Sequence, residues 1–352
     1  MVKIKSHKKK PKKLKISACY IVKNEAAQLE LSLKSLSETA DEIILVDTGS
    51  KDETVSVAEK FGAKIFYEDW NDDFSSPRNL ALSKVTGDWI IFLDADEFFS
   101  CDTMKNIRFA IERAESAKKV GLLINRVNID ADNGNKILDS AYIMRIFKNQ
   151  NGLHYVGKIH EEQRVGKRQM TEIAVVPPKI LTLYHTGYSA TIGKAKAERN
   201  LKLLLEELEE TKEPERIYGY IAECYNGLKD FVNAEKFAIL DIESGRKKTT
   251  FASMSYRILL GILAKDSSRF SERKKFVERA VKDFPELPEF SAELAECYAE
   301  EGNFSDAVAS MTSALKKFKN YNGIEPVMFG GMAEFAANRL KLWQEKLNEK
   351  AQ

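Results

Sequence analysis

Residues 87–97 read GDWIIFLDADE. An unbroken apolar run from Trp89 to Leu93 ends on two carboxylates, Asp94 and Asp96. Such a run predicts a strand buried on both faces, the setting of a parallel strand covered by helices. Ligand sites in open α/β sheets lie at the carboxyl ends of strands. Two carboxylates placed there can share one hard cation, and Mg²⁺ or Mn²⁺ held this way bridges to a diphosphate. A solvated acidic turn is the plain alternative.

Working back from this stretch, strands and helices alternate. ISACYIV at 16–22 and EIILVD at 42–47 read as buried strands, and AKIFY at 63–67 as a third. Between them Leu29, Leu33 and Leu36 mark one face of a helix, and a second helix is expected around 76–85. TGSKDET after Asp47 breaks the chain and opens a further helix, with Asp52 and Glu53 expected in its first turn, where acids suit the helix dipole. This order predicts βαβ units and a mainly parallel sheet. Asp47, at the end of its strand, can accept from a base N–H or a ribose hydroxyl. Arg78, with Asn79 near the start of its helix, can grip a phosphate oxygen. Neither a Walker lysine loop nor GxGxxG is present, which disfavours P-loop and dinucleotide chemistry.

Working forward, VGLLINRVNI, AYIMRIF and KILTLYH read as strands that complete a mixed sheet. After about residue 195 the pattern is helical and repeats itself. AECY occurs at 222–225 and again at 295–298. From each tyrosine, small and aromatic residues recur at the same offsets: Phe231, Ala234 and Ala238 in one copy, Phe304, Ala307 and Met311 in the other. The copies lie 73 residues apart, about two periods of the roughly 34-residue tetratricopeptide repeat. A degenerate unit with Phe270, Val277, Ala280 and Pro285 fits between them. The expected organisation is a basic arm at 1–15, an α/β domain at 16–195 and a helical-repeat domain at 196–352.

Composition fits this division. The 352 residues are 43% hydrophobic and 31% charged, enough apolar mass for two cores. A net charge of +2 offers no case for nucleic-acid binding. Cys19, Cys101, Cys224 and Cys297 show neither zinc-ligand spacing nor a disulfide framework, and reduced cytoplasmic thiols are expected. No apolar stretch approaches the length of a bilayer span, and the lysines of residues 1–15 precede no hydrophobic segment, so a secretory signal is not expected. That arm is expected to be disordered; attraction to an anionic membrane surface or an acidic partner is the sharper reading.

Four blocks, ISACYIVKNE, EIILVDTGSKDET, PRNLAL and GDWIIFLDADE, together resemble a family 2 glycosyltransferase of GT-A fold over residues 16–97. The resemblance implies a nucleotide-sugar site in which Ile21, Lys23, Glu25 and Asp47 flank the base and ribose. Arg78 would lie near the phosphates, Asp94 would face ribose and metal, and Asp96 would ligate the metal. YEDWNDDFSSPRN at 67–79, MRIFKN at 144–149, GKIHEE at 157–162 and YHTGY at 184–188 are similar to blocks of sublancin-type peptide S-glycosyltransferases, which also carry helical repeats. Glu161 is then the candidate general base of an inverting transfer, with Asp72, Asp73 and Glu97 as rivals. His185 is a candidate third metal ligand, the alternative being a hydrogen-bonded core histidine. Trp70, Phe74 and Tyr188 read first as core, although Trp70 among polar neighbours could face a hexose.

The resemblance implies Mn²⁺- or Mg²⁺-dependent transfer of a hexose from a UDP-sugar, of UDP-glucose or UDP-N-acetylglucosamine type, to a protein or peptide side chain. The polypeptide would be held by the repeats. A lipopolysaccharide or other glycan acceptor is the second reading, and a non-catalytic repeat scaffold the third. A homo-oligomer is left open.

Overall fold

A computed structural model describes residues 13–186, 193–246, 250–327 and 333–351. Most of the basic arm, residues 1–12, and Tyr188 lie outside the described residues. The chain divides into two compact units, residues 1–139 with 143–187, and residues 140–142 with 188–352. Among the described residues no helix is long and apolar enough to cross a membrane. All four cysteines are free.

The first unit is built on strands β1 (Ile16–Val22), β2 (Glu42–Asp47), β3 (Lys64–Tyr67) and β4 (Trp89–Phe92), with helices α1 (Ala26–Leu36), α2 (Thr54–Lys60) and α3 (Ser75–Lys84) between them. β1 runs parallel to β2 and β4, and β2 parallel to β3. Alternate residues of β1 serve opposite layers. Ala18 and Tyr20 pack with Leu29, Leu33 and Leu36 of α1, while Cys19 packs with Ala81 of α3. Each of the three leucines is fully buried, a gain of about 1.5–3 kcal/mol apiece. Two-sided burial is the reason these strands read as unbroken apolar runs.

The remaining strands are β5 (Glu97–Phe99), β6 (Gly121–Asp130), β7 (Lys136–Lys148), β8 (Leu153–Val156), β9 (Glu162–Val165), β10 (Arg168–Gln169), β11 (Ile173–Val175) and β12 (Thr182–His185). The main sheet has the order β3-β2-β1-β4-β7-β6-β12-β5, with β11 on β6, and β8, β9 and β10 form a separate meander. β7 joins β4 antiparallel and β5 joins β12 antiparallel, which makes the sheet mixed as expected. A helix between β5 and β6, α4 (Ile107–Ser116), buries Ile107, Ile111 and Ala114 against the α1 layer. One expectation needs correction. Asp52 and Glu53 precede α2 instead of lying in its first turn, and the Asp52 carboxylate accepts from the backbone N–H groups of Thr54 (3.0 Å) and Ala26 (3.2 Å).

The second unit is helical: α5 (Gly193–Glu210), then α6 (Tyr218–Gly227) with α7 (Phe231–Ser244), α8 (Met254–Leu263) with α9 (Phe270–Asp283), α10 (Pro288–Glu300) with α11 (Phe304–Asn320), and α12 (Ala333–Ala351). The repeat read from AECY corresponds to the turns α6–α7 and α10–α11. In each, a backbone N–H returns to the tyrosine carbonyl, Asp230 to Tyr225 and Asn303 to Tyr298, both at 2.9 Å. In each, the same residue then caps the following helix by accepting from an N–H three residues on. One residue of each turn is left-handed, Lys229 (φ 64°) in the first and Gly302 (φ 75°) in the second. Ala234, Ala238, Ala307 and Ala314 are fully buried, so the small residues are where the paired helices approach.

Gly87 shows how closely the first sheet is tied at its amino end. Its N–H donates to Ser17 Oγ (3.0 Å), and Ser17 Oγ donates to Glu42 Oε1 (2.6 Å). A Cβ at Gly87 would run into Ser17 Oγ and lie 2.9 Å from Ser17 N and 3.0 Å from the Lys15 carbonyl oxygen. Two of those neighbours are backbone and cannot swing aside. Gly87→Ala is therefore expected to cost about 1–3 kcal/mol, read as a lower urea midpoint; an unchanged midpoint would show that the strand end yields.

Candidate functional site

Two loops at the carboxyl ends of β1 and β2 are latched together by their own side chains. Asn24, left-handed at φ 58°, receives a bond from Lys51 N (2.8 Å) through its side-chain oxygen, and its own N–H donates to Ser50 Oγ (2.9 Å). Glu25 N donates to Thr54 Oγ1 (2.8 Å). Asp47 is 3% exposed. Its Oδ1 accepts from Gly49 N and Ser50 N, both at 3.0 Å, and its buried Oδ2 has no partner among the described residues. One oxygen thus builds the turn, and the other remains able to accept a further hydrogen bond. Ile21 packs on the α3 side of the sheet and Lys23 is exposed.

Asp94 and Asp96 follow β4 as expected, but their surroundings differ. Asp94 is held by two guanidinium groups. Arg78 Nη2 donates to Oδ1 at 2.8 Å, and Arg145 Nη2 donates to Oδ2. Burial works against the Asp94 carboxylate, yet Arg145 and Arg78 outweigh it and hold its pKa below the usual range. Arg145 Nη2 also donates to the fully buried Glu97 (2.8 Å), with Arg145 Nε 2.7 Å from the other carboxylate oxygen, and Arg126 Nη1 lies 3.7 Å from Glu97. Arg78 Nε donates to Glu161 at 3.3 Å, and its guanidinium lies 4.8 Å from the Phe92 ring centroid. Three carboxylates, Glu161, Asp94 and Glu97, are thus balanced by Arg78, Arg145 and Arg126. The buried Nη1 of Arg78 has no hydrogen-bond partner among the described residues.

Asp96 turns instead to His185, whose Nε2 lies 3.1 Å from its Oδ2. His185 is buried on β12, beside Asn128 of β6, and its Nδ1 lies 2.8 Å from Asn128 Oδ1. The Asn128 amide nitrogen donates to Asp139, so its oxygen must accept from His185 Nδ1–H. In the neutral ring this turns the lone pair of Nε2 toward a carboxylate. Asp96 and His185 could each supply one ligand to a divalent metal. The expected trio does not gather, because both oxygens of Asp94 are taken by arginine. Among the described residues no three His, Cys, Asp or Glu side chains form a ligand set.

The rivals to Glu161 have other tasks. Glu97 is sealed in the arginine network. Asp72 accepts from Trp70 Nε1 (2.9 Å), and Asp73 accepts from Ser75 N (2.7 Å) at the start of α3. Trp70 meets Phe74 edge to face, ring centroids 4.6 Å apart. Asn79 is structural, its amide bonding both the N–H (2.7 Å) and the carbonyl (3.0 Å) of Tyr155 on β8. Arg145 and Asn128 were missed by sequence reasoning. Each stands on a strand far from the motif it serves, Arg145 in the block MRIFKN and Asn128 in the run VGLLINRVNI, where neither was singled out.

Glu25 reports the charge of this site. Burial, then Asp96, Asp52 and Asp94, push its carboxyl from 4.5 up to about 7. A raised folded-state pKa contributes stability that is present below the unfolded value and lost as pH rises through the folded one. Glu25→Gln should therefore match the wild type near pH 4 and be more stable above pH 7, the gap opening across that window. The gain should be about 1 kcal/mol after allowing for solvent screening of a half-buried group. Melting curves of the ligand-free chain against pH check this, and parallel curves would place Glu25 away from the acidic cluster.

Residues 17–171 match the family model described as Glycosyl transferase family 2. A TPR repeat-containing protein of Synechococcus elongatus is 34% identical over 146 residues, 42% of this chain and 34% of the relative. The SPbeta prophage-derived glycosyltransferase SunS of Bacillus subtilis is 28% identical over 215 residues, 60% of this chain and 49% of the relative. The chain thus spans a third to a half of the length of these curated relatives. Among solved structures, S. aureus TarS 1-349 in complex with UDP-GlcNAc aligns over 88% of this chain and 93% of that one, at 17% identity and a TM-score of 0.43. With the acidic pair placed after β4 and the latched loops after β1 and β2, residues 17–171 form a glycosyl transferase family 2 domain.

Proposed function

We propose that the chain transfers a hexose from a UDP-sugar to a polypeptide side chain with inversion at the anomeric carbon. The observation that carries this reading is a complementary pair of unsatisfied buried atoms, the acceptor Asp47 Oδ2 and the donor Arg78 Nη1. A uridine diphosphate offers the N–H or hydroxyl that the first lacks and the phosphate oxygen that the second lacks. The blocks resembling peptide S-glycosyltransferases, followed by paired helices, support a polypeptide acceptor.

In this reading Asp47 orients the uridine, and Arg78, fixed on Phe92 and Asp94, faces the diphosphate. Asp96 and His185 would hold Mn²⁺ or Mg²⁺, which supplies positive charge to the diphosphate as it becomes the leaving group. Glu161 takes the proton from the acceptor hydroxyl or thiol. The freed oxygen or sulfur bonds to the anomeric carbon from the face opposite the diphosphate. The bond from that carbon to the diphosphate oxygen breaks, and its electron pair leaves with UDP. Asp94 serves as the anchor between Arg78 and Arg145.

Two outcomes test this. Asp47→Ala should weaken UDP binding about ten- to a hundredfold, the worth of a charge-assisted buried hydrogen bond. Unchanged affinity by calorimetry would place the base elsewhere. Asp96→Ala should abolish most UDP release from UDP-glucose or UDP-N-acetylglucosamine while leaving the melting temperature unchanged, and EDTA should do the same to the wild type until Mn²⁺ is restored. Full turnover in EDTA would refute the metal-dependent reading.

A further inference from the structure

The turn that joins β7 to β8, residues 149–152, forms a cleft of about 450 Å³ with the last turn of α3. Hydrogen bonds pin this turn. Asn149 N donates to Asp88 O (2.9 Å), and Asn149 Nδ2 donates to Gly87 O (3.0 Å). Leu153 N donates to Gln150 O, and Gly166 N to Gly152 O, both at 3.0 Å. Gly87 and Asp88 precede β4, so the cleft lies at the opposite end of that strand from Asp94 and Asp96.

The lining restricts what the cleft can hold. Among the described residues no Asp, Glu, Lys or Arg lines it, so an ionic ligand would find no counter-charge. Leu82 and Leu153 already pack on the sheet core and leave little cover for an apolar ligand. What remains is neutral hydrogen-bonding capacity of both kinds. The Asn149 bond to Gly87 uses only the amide nitrogen, and its Oδ1 has no partner among the described residues. Ser83 Oγ donates to Leu80 O (2.6 Å) and keeps its lone pairs. His154 Nδ1 lies 2.9 Å from Gly152 O, so Nδ1 carries the proton and the neutral ring offers Nε2 as an acceptor. Gln150 has the opposite need, since its buried Nε2 has no hydrogen-bond partner among the described residues. A phosphate or carboxylate would satisfy that donor and none of the acceptors. A hydroxyl is donor and acceptor at once. Several hydroxyls on one ring match the whole set, and the volume suits a small molecule, whose sites span about 300–1,000 Å³.

We infer that this cleft binds a neutral saccharide of one or two sugar rings, at a site apart from the nucleotide-sugar site. Hydroxyls donate to Asn149 Oδ1, Ser83 Oγ and His154 Nε2, and one accepts from Gln150 Nε2. A free sugar and a glycan carried on an acceptor offer the same hydroxyls. A bare peptide fits less well, because its side chains would find no apolar cover. The site stands independently of the polypeptide-acceptor reading and is detected by binding alone.

The test is saturation-transfer NMR on the full chain with maltose and methyl α-glucoside, with saturating UDP present to fill the nucleotide site. Both sugars should receive saturation at millimolar concentration. Gln150→Ala and His154→Ala should each weaken binding about tenfold, and His154→Gln, which keeps an acceptor, less than about threefold. Asn151→Trp, at an exposed position of the turn, should fill the cleft and abolish the signal. In every variant UDP affinity should stay at the wild-type value and the melting temperature should not fall. Absence of transfer to the wild type overturns the inference. So does transfer that is unchanged in Asn151→Trp and Gln150→Ala, or equal competition by a neutral peptide that carries no sugar. Tighter binding of a glucosylated peptide than of the free glucoside makes an acceptor glycan the source, and equal binding makes it a free sugar; both outcomes support the site. If the sugars bind while UDP-sugars are not turned over, the transferase reading fails and the cleft assignment stands.

Discussion

Asp94 accepts from two buried guanidinium groups, and this pairing organises one side of the first sheet. A carboxylate and an arginine each lose strongly when taken out of water alone. Here the chain Glu161, Arg78, Asp94, Arg145, Glu97 and Arg126 alternates in sign, so each charge, buried or half-buried, has an opposite neighbour. The members come from α3, β5, β6, β7, the turn after β4 and the segment before β9. Removing an interior link such as Asp94 would strip an opposite charge from both of its neighbours, so elements distant in sequence are fixed to one geometry.

That arrangement divides the labour of the two acids in DAD. The first is consumed by the protein's own cations. The second is left with a histidine whose ring is oriented by an asparagine. The sequence spacing suggested two equivalent ligands. The difference arises from long-range partners, above all Arg145, 51 residues beyond Asp94.

Much of the architecture was legible because it depends on local patterns. The unbroken apolar runs of β1, β2 and β4 announce two-sided burial, and the leucine spacing of α1 announces one covered face. The repeat was legible because AECY and the residues that pack the paired helices recur at fixed offsets. Helix α4 also carried a signal, in Ile107, Ile111 and Ala114, that went unread beside the stronger acidic motif. The short strands β8 to β11 carried almost none, since two to four residues are too few for a period to emerge. Asp73 and Asn79 could not be separated from functional residues by sequence, because capping a helix or clamping a strand uses the same polar groups as binding a ligand.

The two matching turns of the helical unit solve one backbone requirement with different residues. Gly302 enters the left-handed region without a steric penalty, whereas Lys229 carries its Cβ there at a cost of order 1 kcal/mol. The hairpins are therefore unequal in local stability although they share a design. Amide protons around 225–234 should exchange through local opening more readily than those around 298–307. The later hairpin is the better template for a consensus repeat, and the earlier one is the natural place for the stack to breathe.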